Sequence, residues 1–214
     1  MENHSGLKKL LKIPCFYYLL MDIFGAKKGA LWLSKNFFKV QSGAKIIDIG
    51  CGPGSLLKSY KNIFPKNIDY HGIDPSKDYI LSAKREFGHS AKFYHGTTDN
   101  FINNAGFSNS DLILCCGVLH HIDDNQVLSL FNFVHSNLKT NGGRFLAIEP
   151  VHLLKETFIS KWIMNLDRGL YIRKEQEWKE LLNNSNLNYT TNIITGLIKI
   201  PYNYILIEGT FCSK

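Results

Sequence analysis

The chain has no disulfide framework and no zinc-like spacing. Its five cysteines, at 15, 51, 115, 116 and 212, are odd in number, and none stand in C-x-x-C pairs. Reduced thiols in a cytoplasmic protein, with no metal site, are therefore expected. Adjacent Cys115 and Cys116 would point to opposite faces of a strand. A secretory leader and a membrane span are not expected either. The apolar stretch Phe16–Leu20 is short, and Lys12, Pro14 and Asp22 break the longer segment around it. No run of five like charges occurs, although the net charge is +7. The excess is dispersed over Lys8, Lys9 and Lys12, then Lys27 and Lys28, then Arg168, Arg173 and Lys174. Dispersal of this kind reads as a solvated basic surface and argues against a nucleic-acid partner. The basic, partly apolar stretch Leu7–Ile13 allows at most weak peripheral contact with an anionic membrane. Repeats and low-complexity tracts are lacking too, which excludes solenoids and disordered tails.

What remains is an ordinary globular composition. The 214 residues are 44% apolar and 20% charged, enough for one sizeable core. The first forty residues read as helical, with breaks at Pro14, Gly25 and Gln41–Gly43. From Ala44 onward, short apolar runs alternate with helical patterns. Strands are expected over Lys45–Ile49, Tyr70–Ile73, Ala91–Tyr94, Asp111–Cys115 and Gly143–Ile148. Helices are expected over Ser55–Ile63, Ser76–Phe87 and Asp124–Leu138, with another around Trp178, Leu181 and Leu182. Strands without polar alternation are covered on both faces, which means a parallel sheet between helices. Two final strands, Leu187–Ile194 and Tyr202–Phe211, have no helix between them and so predict a hairpin at the sheet edge.

The loop Gly50-Cys51-Gly52-Pro53-Gly54 joins a strand to a helix. Its glycines permit a tight turn and close approach of a ligand. A dinucleotide fingerprint needs glycine at 50, 52 and 55, but position 55 is Ser55 and the third glycine is Gly54. Asp48, two residues before the loop, is also unusual beside a pyrophosphate. Asp74 lies 24 residues beyond Gly50, at the end of the second strand. There it suits a pair of ribose hydroxyls, or alternatively caps the following helix.

Ile46–Gly54, Gly72-Ile73-Asp74-Pro75-Ser76, Asp111–Leu114 with Gly117-Val118-Leu119-His120-His121-Ile122-Asp123-Asp124, and Asn141–Phe145 follow one another in this order. In that order they closely resemble the class I S-adenosylmethionine-dependent methyltransferases. The resemblance runs from about residue 10 to the end. It implies an α/β, three-layer αβα Rossmann-like fold with a seven-stranded, mostly parallel sheet and a C-terminal antiparallel hairpin. It divides the chain into an N-terminal helical lid (residues 1–40) and a donor-binding domain (41–214). The implied cofactor is S-adenosyl-L-methionine, with S-adenosyl-L-homocysteine as product. The residues implied to hold it are Asp48, Gly50, Cys51, Gly52, Asp74, Pro75, Thr97, Thr98, Cys116, Gly117 and Tyr18.

Two departures stand out: Asn141 replaces the usual proline before the paired glycines, and Gly96 is followed by Thr97 and Thr98, with Asp99 two positions late. A looser resemblance ties Phe16-Tyr17-Tyr18, Asp167–Arg173 and Ile200-Pro201-Tyr202 to a bacterial subgroup.

Methyl transfer from a sulfonium expels a neutral thioether, so positioning and desolvation supply much of the acceleration. A hydroxyl acceptor would still benefit from a base, and His120 or His121 could serve; a structural role for the pair is the alternative. Tyr17 and Tyr18 either cover the cationic donor or pack in the core. Asp167, Arg168 and Arg173 either contact an anionic acceptor or pair with one another. Glu149 and His152 are candidates to face the acceptor. The reading is a methyltransferase acting on a small molecule, at oxygen, as a monomer or homodimer. The alternatives are a donor-binding module without turnover, or an RNA methyltransferase. The missing N/D-P-P-Y tetrapeptide counts against the last.

Overall fold

Along Lys45–Ile49, alternate side chains enter two different cores, and this fixes the architecture. Ile46 packs with Tyr70, Leu112, Leu114 and Leu146 on one face, while Ile47 and Ile49 pack with Ile113, Phe145 and Ile207 on the other. A sheet buried on both faces must lie between two layers of helices. The computed structural model describes residues 26–60, 64–101, 104–165, 167, 169–199 and 201–213. The expected helices before residue 25, and Tyr17 and Tyr18 with them, lie outside the described residues.

The strands are β1 (Lys45–Ile49), β2 (Asp69–Asp74), β3 (Lys92–His95), β4 (Leu112–Cys116), β5 (Arg144–Pro150), β6 (Leu187–Ile194) and β7 (Tyr204–Phe211). They form a seven-stranded sheet in the order β3-β2-β1-β4-β5-β7-β6. Pairing is parallel from β3 through β5, then antiparallel at β5–β7 and β6–β7. The predicted terminal hairpin is thus present. Its last strand inserts between β5 and β6, leaving β6 at the edge with a polar-alternating pattern.

The helices are α1 (Ala26–Phe37), α2 (Ser55–Tyr60), α3 (Lys77–Phe87), α4 (Asp124–Asn137), α5 (Phe158–Met164) and α6 (Glu175–Asn183). Leu57 and Tyr60 of α2 and Ile80 and Ala83 of α3 cover one face of the sheet. Val127, Phe131 and Val134 of α4, with Trp178 of α6, cover the other. Helix α4 begins with a capping box in which Asp123 accepts from the Gln126 amide and Gln126 returns the bond. Helix α3 is capped by Ser76, whose hydroxyl accepts from the Tyr79 amide. Asp74 is therefore not the cap. Helix α5 is absent from the sequence reading. Its seven residues bury only Ser160 and Met164, too few for a periodic signal.

Candidate functional site

Strand order reverses between β1 and β4, so the crevice at their carboxyl ends is where a ligand belongs. The loop after β1 lies there. Its conformation needs glycine: Gly50, Gly52 and Gly54 have φ of 72°, 54° and 82°. A Cβ on Gly50 would also stand 2.2 Å from Val118 Cγ2. Gly50→Ala is expected to cost about 2–4 kcal/mol, from backbone strain plus overpacking, and to lower the midpoint of thermal unfolding accordingly.

The loop's amides turn inward. Gly50 and Cys51 both donate to the Ile73 carbonyl, at 2.8 and 3.1 Å, and Gly54 donates to the Cys51 carbonyl at 3.0 Å. Gly52 donates to Asp74 Oδ2 at 2.9 Å. A phosphate-binding loop points these N–H groups at its ligand. Here they are committed to the neighbouring strand and to the loop itself, and the nearby side chains, Asp48 and Asp74, are carboxyl groups. The crevice therefore suits a ligand that is neutral or cationic.

Asp74 accepts from Gly52 on one oxygen and from the Ser76 amide at 2.8 Å on the other. It is almost buried at the end of β2, rigidly aimed from both sides. Asp48 is buried in β1 and accepts a bond from the Tyr70 hydroxyl across the strand pair. Burial pushes its carboxyl up to about 7, the Tyr70 bond opposes the rise and the Asp74 charge adds to it. Cys51 packs beside Gly72, where a Cβ would come within 2.7 Å of its sulfur. Burial keeps the Cys51 and Cys116 thiols neutral, so neither is a nucleophile.

Pro75, Thr97 and Thr98 follow β2 and β3 at the same end of the sheet. The Pro75 carbonyl is 3.0 Å from His95 Nε2. Thr97 is fixed by Asn100, which accepts from its amide at 2.8 Å and from its hydroxyl at 3.2 Å. Thr98 is buried. Asp99 accepts from the Ser129 hydroxyl at 2.6 Å. That bond ties the loop after β3 to α4.

Beyond β4, Cys116 and Gly117 lead into the two histidines. Gly117 (φ 69°) donates to the Ile148 carbonyl at 2.9 Å. The next three amides converge on the fully buried carboxylate of Glu149. Val118 and Leu119 donate to Oε1 at 2.9 and 3.0 Å, and His120 donates to Oε2 at 3.3 Å. The His120 ring adds a fourth bond, Nδ1 to Oε2 at 2.6 Å. Its Nε2 lies 3.4 Å from Asp167 Oδ1. Glu149 was read as an acceptor contact. Instead it points under the loop after β4, because β5 lies beside β4 and runs two residues further at this end. Burial lowers the affinity of His120 for its proton, but Asp167 and Glu149 outweigh that and raise its pKa to about 9. Both ring nitrogens are therefore donors at neutral pH. His121, on the same loop, is exposed.

Arg173, a candidate acceptor contact or one half of an intramolecular Asp–Arg pair, is buried and forms such a pair with Asp124. It donates to Asp124 Oδ1 through Nε at 2.9 Å and Nη2 at 2.7 Å, and to the carbonyls of Leu119, Ile122 and Tyr171. Its guanidinium also lies over Trp178, 5.0 Å from the ring centre. His152 pairs with Glu156 at 2.9 Å. Tyr18 and Arg168 lie outside the described residues. Among the described residues no cluster suited to a metal occurs, and no helix is long and apolar enough to cross a membrane.

Comparison with known proteins agrees with this geometry. Residues 47–145 match the family described as "Methyltransferase domain". The chain is 26% identical over 155 residues to O-methyltransferase 12 of Dictyostelium discoideum, covering 70% of this chain and 39% of that protein. It is 32% identical over 85 residues to the ubiquinone biosynthesis O-methyltransferase of Bradyrhizobium sp. (strain ORS 278), covering 39% of this chain and 32% of that protein. The chain thus spans well under half the length of these relatives. A solved structure, CalO1, described as a methyltransferase in calicheamicin biosynthesis in its SAH-bound form, superposes with a TM-score of 0.68 at 16% identity, covering 94% of this chain and 58% of that one. Residues 47–145 are thus similar to a methyltransferase domain, and the chain shares the fold of solved methyltransferase structures.

Proposed function

We propose that the protein transfers a methyl group from S-adenosylmethionine to an oxygen of a small-molecule acceptor. The observation that carries this is the inward-turned glycine loop with Asp74 at its base. It withholds the amides a pyrophosphate would need and sets the Asp74 carboxylate at the mouth of the crevice, toward a cationic ligand. Bound S-adenosylmethionine supplies a sulfonium-borne methyl group whose departure leaves a neutral thioether. Asp74 would accept the ribose hydroxyls, with Pro75 beside it. The turn over Gly50–Gly52 provides close backbone contact, and a Cβ at Gly50 would displace the loop after β4. Thr97 and Thr98 would flank the adenine. Cys116 and Gly117 would line the methionine end.

Both histidines lie on the loop after β4, where the reacting end of the donor would sit. His120 is held as a donor on both nitrogens, so His121 is the ring proposed to take the acceptor's proton. The two O-methyltransferase relatives favour oxygen as the target atom. On the acceptor side, Arg173 is occupied, whereas Leu154, Phe158, Ile159, Trp162 and Leu170 are exposed. That segment favours an acceptor with an apolar body over a purely anionic one. The N-terminal segment 1–40 is proposed as a lid over the donor, with Tyr18 against it; residues 1–25 of that segment lie outside the described residues.

Calorimetry with S-adenosylmethionine, S-adenosylhomocysteine and NAD tests the reading. Both sulfur ligands are expected to bind and NAD not. Binding of NAD alone would overturn it.

A further inference from the structure

Three parts of the chain meet at His120. The loop after β4 supplies the ring, β5 supplies Glu149, and the segment following α5 supplies Asp167. Tyr202, just before β7, closes the series by donating to Asp167 Oδ2 at 2.5 Å. The Gly169 amide donates to Asp167 Oδ1 at 2.8 Å. The contact then continues along the backbone. Tyr171 donates to the His120 carbonyl at 3.0 Å, and Arg173 donates to the carbonyls of Leu119 and Ile122 at 2.8 and 2.9 Å. Gly169 presses so closely on the histidine that a Cβ there would fall 2.1 Å from its Cδ2 and 2.9 Å from its carbonyl oxygen. The 167–173 segment is thus laid along the loop that carries the reacting end of the donor site.

We propose that His120 is a positively charged pin between the donor loop and the 167–173 segment, and that Asp167 and Tyr202 are positioning residues that couple donor binding to the shape of the acceptor side. An imidazolium between two carboxylates is the arrangement that satisfies all three groups. A neutral ring would leave one carboxylate facing a lone pair. The other groups facing the pin are consistent with a cation. The Cys115 thiol beside Glu149 is kept neutral by burial, the His121 ring centre lies 4.0 Å away with the two rings tilted by 41°, and the Arg173 charge is taken up by Asp124. The outward side chains of the pinned segment are Leu170 and Tyr171. Movement of the donor loop is therefore transmitted to the apolar groups an acceptor would meet.

This inference rests on the methyltransferase reading, and the test separates the two. The full chain, with uniform 15N labelling, is titrated by NMR from pH 5 to 10. The His120 ring is expected to show two protonated nitrogens at neutral pH and to discharge near pH 9, the value to which its carboxylate neighbours raise it. Hydrogen exchange is then followed at Gly169 and Tyr171 with and without S-adenosylhomocysteine. In the wild type the ligand should raise protection of both amides. In Asp167→Asn their protection should fall about tenfold and no longer respond to ligand, while the Glu149-bound amides of Val118 and Leu119 stay protected. Asp167→Glu should restore the response. A His120 ring that is singly protonated at pH 7, or an unchanged ligand response in Asp167→Asn, overturns the pin. Failure of S-adenosylhomocysteine to bind the wild type overturns the functional reading instead, and the ring titration still decides the charge on His120.

Discussion

Glu149→Ala is expected to destabilise the fold by about 3–5 kcal/mol, the range for removing one partner of a buried charge pair. Four donors converge on this carboxylate: three consecutive amides and the His120 ring. Alanine removes every acceptor at once and leaves a buried imidazolium beside three unpaired N–H groups. Each orphaned donor carries its own desolvation penalty. Against a total stability of order 5–15 kcal/mol, the loss is a large fraction of the whole. In a chain of this size it should appear as a fall of about 6–20 °C in the midpoint of thermal unfolding followed by circular dichroism. Glu149→Gln should be milder but not neutral. Its amide oxygen can still accept from one side, while its NH2 group meets a donor on the other. A midpoint within 2 °C of wild type for Glu149→Ala (about the effect of 1 kcal/mol or less) would show that the loop after β4 is held by something else.

Asp74→Ala is expected to weaken binding of S-adenosylhomocysteine by about 2–4 kcal/mol, or roughly 30- to 1000-fold, measured by calorimetry. Two losses add here. The first is the charge-assisted hydrogen bonds to the ribose hydroxyls. The second is the anchor that Asp74 provides for the donor loop through the Gly52 amide at 2.9 Å. Asp74→Asn separates them, because one amide oxygen can keep the Gly52 bond while the charge is gone. An intermediate affinity for Asp74→Asn is the expected result. Unchanged affinity in Asp74→Ala, with the circular dichroism spectrum preserved, would remove Asp74 from the site.

Sequence and tertiary structure contribute differently to this protein. The alternation of apolar runs with 3.6-residue patterns is a local property, so the strands and the long helices are legible from it to within a few residues. Glycine spacing is local as well. Gly54 in place of a glycine at 55 argues against a dinucleotide loop from sequence alone, and the inward-turned amides point the same way. The terminal hairpin is legible because the chain offers no crossover helix between its last two strands.

The mechanistic roles of Glu149, Asp167 and Arg173 are not local. Glu149 meets His120 across 29 residues of sequence, and Arg173 meets Asp124 across 49. Which of several charged residues will pair depends on which strand ends the sheet brings together. A lone carboxylate after β5 reads equally well as an acceptor contact or a structural clamp. Only the position of β5 beside β4 turns it under the loop. The sequence by itself indicated the glycine loop after β1, the strands and the long helices, and the histidine pair after β4. The tertiary structure decided that His120 is buried between two carboxylates, that Arg173 is spent on Asp124 and backbone carbonyls, and that His121 is the ring left facing outward. The physical reason is that backbone periodicity is written in neighbouring residues, whereas the charge state of a buried group is set by partners the fold brings in from elsewhere.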